Sequence, residues 1–312
     1  MEKISQPRPG KKLNFGFISD PLDGYNREAE TSLFLMRAIA ARGHTLFVWE
    51  PKNLFLKQNE VWGVGKKIEM TQHPHCFYRI VEEKPYPLAD LDVLFLRKDP
   101  PFNQEFLYHL WLLSFLEDKV KMINPPSALL KHNEKLSILN FPFIPATWVG
   151  SNPDELKKWA KDFKEGIVVK PLNDAGGRDV RWLKTTEEIQ LDRTVMAQEY
   201  LPSVSRGDKR VMLWQGKNLG AFLRKATKPG EFRANLHLGG KFEKTELTPK
   251  EKEITKAVAV WSKKERLDFV GFDMIGEKLT EINVTSPMGI RELNVLYQLK
   301  VEEQMIEDLC LA

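Results

Sequence analysis

The chain has 312 residues, 42% of them hydrophobic and 29% charged, with a formal net charge of +4 at pH 7. That length exceeds one ordinary domain, so two or three substructures around a shared core are expected, and this composition excludes a disordered chain. The small positive excess comes without any run of about five or six basic residues, which excludes a surface that tracks nucleic acid and fits anionic small molecules.

The first twelve residues, MEKISQPRPGKK, read as a polar extension with no apolar stretch behind it, and no later segment approaches the roughly 18 apolar residues of a membrane span. Leu13 to Ser19 (LNFGFIS) reads as a short buried strand, Asp20-Pro21 as a turn, and the following helix ends near Gly43. Thr45 to Trp49 and Val93 to Leu96 supply further short strands of a parallel sheet, so residues 13–130 are read as an α/β domain. Phe106, Leu110, Leu113 and Leu116 recur at helical spacing, and Pro125-Pro126 breaks the chain near the boundary. Beyond it the pattern is α+β, with strands at Gly166 to Lys170, Thr194 to Tyr200 and Arg210 to Trp214 and a helix from about Pro249 to Lys264. With only Cys76 and Cys310, a disulfide framework is not expected and a cytoplasmic location is.

Three groups of residues carry chemistry. In VGFDMIGEKLTEINVTSP, Asp273, Glu281 and Asn283 lie on what read as two strands of one hairpin, with Glu281 and Asn283 two apart and therefore on one face. Hard oxygen donors of this kind suit magnesium, or manganese, shared with substrate phosphates. The competing reading is a solvated strand face, weakened by the apolar neighbours Phe272, Ile275, Ile282 and Val284. Lys135 in HNEKL and Lys170 in VVKPLNDAGG each adjoin an apolar segment, and Gly176 and Gly177 let backbone amides approach a phosphate chain. That loop is neither a P-loop nor a GxGxxG fingerprint. The third group is Arg97, Arg210, Arg224 with Lys225, Arg233 and Arg291, whose guanidinium forks can bind a substrate bearing several carboxylates. His73-Pro74-His75-Cys76 lacks a second pair at zinc-site spacing, and no nucleophile motif is present.

Together LADLDVLFLRKDPPF, HNEKL, VVKPL with its GG loop, QEYLP, GDKRV, EFRANLHLGG and FVGFDMIGEKLTEINVTSP resemble the bacterial glutathione synthetase family, over roughly Leu13 to Arg291. The resemblance implies an ATP-grasp fold behind an N-terminal Rossmann-like (pre-ATP-grasp) domain, with a small lobe at 131–201 and a large lobe at 202–312. It implies that Lys135, Lys170, Gly176 and Gly177 meet phosphates, that Gln198, Glu199, Tyr200 and Leu201 line the adenine, and that Asp208 helps with ribose or phosphates. Asp273, Glu281 and Asn283 would hold magnesium. Arg97, Lys225, Ser286 and Arg291 would bind the peptide, with Arg210 and Arg233 catalytic as well as substrate-binding and a mobile loop at 226–241. The implied reaction joins γ-glutamylcysteine to glycine through an acyl phosphate, giving glutathione, ADP and phosphate, in a homo-oligomer, a tetramer by resemblance, without nucleic-acid or membrane partners. Two departures bear on the substrate: Lys225-Ala226-Thr227 where the family has an arginine two residues before a proline, and NDAGG where it has DGMGG. A related ligase with another peptide or amino acid, or a non-catalytic ATP-binding module, are the alternatives.

Overall fold

The protein is described by a computed structural model covering residues 11–73, 76–174, 176–227 and 240–311. Its first sheet has seven strands, β1 (Asn14–Ser19), β2 (Thr45–Trp49), β3 (Leu54–Lys57), β4 (Glu60–His73), β5 (Cys76–Pro87), β6 (Val93–Arg97) and β7 (Lys121–Ile123), in the order β3-β4-β2-β1-β6-β7 with β5 on β4. The three strands expected at the centre pair in parallel, β1 lying between β2 and β6, and β7 adds a fourth parallel strand on β6. Phe15, Phe17, Leu94 and Phe95 are fully buried, as an apolar run covered on both faces requires. The long β4–β5 hairpin has no counterpart in the sequence reading, because most of its residues are half-buried or exposed and charges interrupt the alternation. Its anchor is Trp49, whose ring lies so close to Gly63 and Gly65 that a Cβ there would come within 2.6 and 2.3 Å of it.

Because β1 has β2 on one side and β6 on the other, the chain turns opposite ways after β1, and a crevice opens at the carboxyl ends of these strands. The loops that leave those ends bring Asn26 and Asp99 to the wall of a large cavity.

Two further sheets face each other across a cavity. The four-stranded one holds β8 (Thr147–Gly150), β9 (Ile167–Pro171), β10 (Arg181–Leu183) and β11 (Val195–Glu199), in the order β10-β9-β11-β8. The five-stranded one holds β12 (Asp208–Trp214), β13 (Lys217–Lys225), β14 (Lys241–Lys244), β15 (Phe269–Ile275) and β16 (Lys278–Asn283), in the order β14-β13-β12-β15-β16. The first seven-stranded sheet and these two contain the strands read from sequence, each within a residue or two of its expected ends.

Seven α-helices are present among the described residues: α1 (Thr31–Ala41), α2 (Gln104–Ser114), α3 (Pro126–Lys131), α4 (Pro153–Ala160), α5 (Pro249–Lys264), α6 (Ile290–Tyr297) and α7 (Val301–Leu311). Their starts are written locally. Asn103 accepts from the Phe106 amide, and Thr248 forms a capping box with Glu251 around Pro249, which fixes the first turn of α5. Ile254 and Val258 of α5 then join Val211, Leu213, Phe272, Met274 and Ile282 in one core, which forces the intervening residues of β12, β15 and β16 onto the opposite face. At the chain end, Met305, Ile306 and Leu309 of α7 share a core with Leu33, Met36 and Ile39 of α1. Each such fully buried side chain contributes about 1.5–3 kcal/mol relative to exposure, so the C-terminal helix closes the first sheet rather than extending the last one.

Candidate active site

The face of the five-stranded sheet turned away from α5 carries clustered charges, two arginines beside two aspartates with a further carboxylate, Glu281, at the edge. Strand register produces the cluster. Asp208 on β12 lies opposite Arg224 on β13, Arg210 on β12 lies opposite Asp273 on β15, and Asp273 lies opposite Glu281 on β16. Cross-strand neighbours of opposite charge are favoured, and here they form forks. Arg210 donates through Nε to Asp273 Oδ1 at 2.5 Å and through Nη2 to Oδ2 at 2.8 Å. Arg224 clasps both oxygens of Asp208 at 2.6 and 2.9 Å, and its Nη2 also lies 2.9 Å from Asp273 Oδ2.

Burial alone would raise the pKa of Asp273, yet Arg210 and Arg224 together hold it well below the ordinary carboxylate range. Asp208 is pushed the other way by its burial and by the charge of Asp273, against the pull of Arg224. The four groups form one fixed unit without excess charge. Asp208 is therefore fastened by Arg224 while lining the cavity where it is expected to help with ribose or phosphates.

Opposite this cluster, β9 and β11 present Lys170 and Gln198. Lys170 Nζ donates to Gln198 Oε1 at 2.8 Å and to the Thr280 carbonyl at 3.4 Å, tying the two sheets together. Burial lowers the pKa of Lys170 and the nearby Glu281 carboxylate opposes that. Lys135 enters from the segment after α3, donates to the Asp174 carbonyl and lies 3.4 Å from Glu281. Gly176 and Gly177 both have positive φ, 69° and 74°, a backbone conformation that glycine adopts without strain. The Tyr200 ring stacks on Trp182 with centroids 3.9 Å apart and planes at 7°.

These groups enclose one cavity between the two sheets. Lys135, Lys170, Gly176, Gly177, Gln198, Glu199, Tyr200, Leu201 and Asp208, all expected around the nucleotide, line it together with Arg210, Asp273, Glu281 and Asn283. Val168, Val204, Ile275, Tyr200 and Leu201 give it an apolar lining that suits a flat base, and Lys135 and Lys170 give it cations that suit phosphates.

A second cavity of about 660 Å³ adjoins it, inside the usual range for a small-molecule site. Ser286 and Arg291 line it as expected. The structure places the other two expected peptide contacts elsewhere. Arg97 is 2% exposed, donates to Ser32 Oγ at 3.0 Å and to the Pro287 carbonyl at 3.1 Å, and so braces the Ser286–Met288 segment from behind. Lys225 pairs with Glu243 at 2.7 Å, because strand alternation turns Arg224 inward and its neighbour outward. Arg233, most of the 226–241 loop, and His75 of the His73-Cys76 cluster lie outside the described residues.

Glu134 and Arg178 are the residues that the sequence reading passed over. Glu134 stands beside Lys135 in HNEKL, and its Oε1 accepts from the Val284 and Thr285 amides at 2.9 and 3.0 Å and from the Thr285 hydroxyl at 2.8 Å. It fixes the chain that leaves Asn283 toward Ser286. Neither its type nor its spacing signals this, since the partners lie about 150 residues away. Arg178, directly after the glycine pair, lines both cavities.

The donor set of Asp273, Glu281 and Asn283 fits a divalent cation. The two carboxylates are register partners, Asn283 follows on the same strand face, and Asn283 Nδ2 is buried with no hydrogen-bond partner among the described residues. An orphaned amide end in an otherwise paired wall marks a place that a ligand completes, and exchanging the two amide ends presents its carbonyl oxygen there.

The fold and the chain have known counterparts. The ATP-grasp ligase PsnB, solved with a minimal precursor, superposes with a TM-score of 0.63 at 14% identity over 96% of this chain and 98% of its own. The D-cycloserine synthetase DcsG gives 0.63 at 13% identity over 95% and 99%. At that identity the likeness shows the fold alone, which is ATP-grasp. Curated relatives are nearer. A glutathione synthetase of Prochlorococcus marinus subsp. pastoris is 37% identical over 95% of this chain and 99% of its own, and one of Coxiella burnetii is 34% identical over 94% and 95%. Models of the prokaryotic glutathione synthetase N-terminal domain and ATP-grasp domain match residues 13–129 and 134–298. The family's enzymes are ATP-dependent ligases that work with a divalent metal. No helix of the described residues is long and apolar enough to cross a membrane. With both of its domain models matched in order along one chain, this protein belongs to the prokaryotic glutathione synthetase family of ATP-grasp ligases.

Proposed function

We infer that the protein ligates γ-glutamylcysteine to glycine with ATP, forming glutathione, ADP and phosphate. The observation that carries this reading is the meeting of the two cavities: Gly176, Arg178, Arg210, Arg224 and Asn283 line both, so a terminal phosphate held in one lies against a carboxylate held in the other.

ATP lies with its base against Tyr200 and Leu201 and its phosphates toward Lys135, Lys170 and the glycine pair. Magnesium held by Asp273, Glu281 and Asn283 supplies charge neutralisation to the phosphate oxygens. The peptide's cysteinyl carboxylate attacks the terminal phosphorus, ADP leaves, and the glycine amine then attacks the acyl phosphate carbon, loses a proton and expels phosphate. No side-chain nucleophile is needed, and fixed geometry with preorganised charge supplies the rate. Ser286 and Arg291 take the peptide's polar groups, and the roles of Arg233 and of the 226–241 segment, most of which lies outside the described residues, belong to the same proposal. The division into 13–130, 131–201 and 202–312, a cytoplasmic location and a homotetramer belong to the same proposal.

The test is phosphate release from the purified protein with ATP and magnesium, with γ-glutamylcysteine and glycine each omitted in turn. Release that needs both is the expected result. Release that needs a different peptide, or none with any acceptor in a protein that binds ATP, overturns it.

A further inference from the structure

Phosphoryl transfer between the two cavities must occur where they join, and three arginines stand there: Arg178, Arg210 and Arg224. Two of them are already committed. Arg210 gives Nε and Nη2 to Asp273 and Nη1 to the Met288 carbonyl, and Arg224 gives Nε and Nη2 to Asp208 and Asp273. Their side chains are buried and the two aspartates balance their charge, so they are held in the wall and are less free than Arg178 to follow a moving group.

Arg178 differs in each respect. Its side chain is 58% exposed, and its Nε lies 3.4 Å from Asp174 Oδ1, outside the 2.7–2.9 Å range of a strong charge-assisted bond. Its Nη2 donates to the Pro100 carbonyl at 3.0 Å, a neutral acceptor on the N-terminal side of the peptide cavity. It also directly follows Gly176 and Gly177, which line the first cavity, Gly176 lining the second as well. A fork carried on that loop, lightly held and facing both cavities, can follow the phosphoryl group from one to the other.

We propose that Arg178 is a catalytic residue of the ligase reaction read above, donating its guanidinium N–H groups to the equatorial oxygens of the phosphoryl group in transit. In that step the bond from the terminal phosphorus to the β,γ-bridging oxygen breaks with its electron pair going to ADP. The new bond forms from the peptide carboxylate oxygen to phosphorus. Arg178 keeps its protons throughout and matches the charge spread over the oxygens. This inference rests on the two-cavity ligase reading.

The experiment compares parent, Arg178→Ala and Arg178→Lys enzymes by positional isotope exchange of the ATP bridging oxygen with magnesium and γ-glutamylcysteine, alongside ADP affinity by calorimetry and the thermal midpoint. Arg178→Ala is expected to slow exchange by about 10²-fold, in the range seen when one preorganised donor to a developing anion is removed. ADP affinity should change by less than about threefold, the thermal midpoint should stay put, Arg178→Lys should recover only part of the rate, and free methylguanidine should partly rescue Arg178→Ala where methylamine does not. Exchange in Arg178→Ala within about threefold of an active parent overturns the inference alone, as does an equal loss of ADP affinity, which would make Arg178 a structural part of the loop. A parent without exchange but with bound ATP overturns the ligase reading and this inference with it.

Discussion

The two cavities are built differently. The nucleotide cavity lies between two sheets, so its charged groups sit at fixed register positions and are held by one another, as the Arg224–Asp208 and Arg210–Asp273 forks are. The peptide cavity is bounded largely by segments that leave strand ends, including the loops after β1 and β6 and the Thr285–Met288 stretch. Sheet walls fix charge in place; loop walls need bracing from behind, which Arg97 and Glu134 provide. On the reading proposed above, the rigid wall serves the chemistry common to the fold and the loop wall leaves room for substrate choice to change.

Asp273 tests the rigid wall hardest. Replacing it by alanine leaves Arg210 and Arg224 buried beside a single remaining carboxylate, and breaking a buried pair in this way costs about 3–5 kcal/mol. Asp273→Ala should lower the denaturant midpoint without changing the slope and abolish turnover, and an unchanged midpoint would show that the fork contributes nothing to folding. The next effect separates chemistry from stability. Glu281 keeps 23% of its side chain exposed and pairs with Lys135 at 3.4 Å, so Glu281→Ala should leave the unfolding midpoint near that of the parent while turnover falls by on the order of 10²–10³. Near-normal turnover in the folded variant would remove Glu281 from the metal site.

Lys170 gives a smaller, pH-dependent effect. Burial lowers its pKa in the empty site, and a phosphate chain placed beside it favours the charged form, so the bound pKa is the higher of the two. Between those values the complex holds more protons than the free enzyme. Nucleotide affinity should therefore fall as pH rises through the free-site pKa, by up to about tenfold per pH unit, with proton uptake on binding. Calorimetry in buffers of different ionisation enthalpy reads that uptake directly; proton release instead would reverse the assignment.

What the sequence made legible follows the same division. Strand period places Glu281 and Asn283 together and puts Lys170 at the end of a buried run, so the nucleotide wall can be read one strand at a time. Resemblance supplied the residues whose roles depend on partners far along the chain. Arg97 shows the limit of both: a guanidinium near a proline-rich turn reads as a substrate ligand, yet Ser32 and Pro287, distant in sequence, take its hydrogen bonds. Glu134 and Arg178 have the opposite history, ordinary in sequence and placed at the cavities by tertiary packing. The β4–β5 hairpin was invisible for a simpler reason, since a ribbon with so little apolar burial leaves almost no periodic signal.

The smallest effect concerns Lys225, which stands where the family has a fork-bearing arginine. Had the lysine faced the peptide, a point charge in place of the fork would weaken carboxylate binding and shift substrate choice. Its Nζ instead pairs with Glu243 on the neighbouring strand, with side chains 42% and 50% exposed, and Arg224 occupies the inward position. An exposed pair of this kind contributes little to folding, and neither cavity loses a wall when it is removed. Lys225→Ala should therefore change KM for the peptide and kcat by less than about twofold, within the scatter of ordinary surface substitutions. A rise in KM of tenfold or more would mean that Lys225 turns inward when the peptide is bound, and that the substrate wall extends one residue further along β13 than its register now places it.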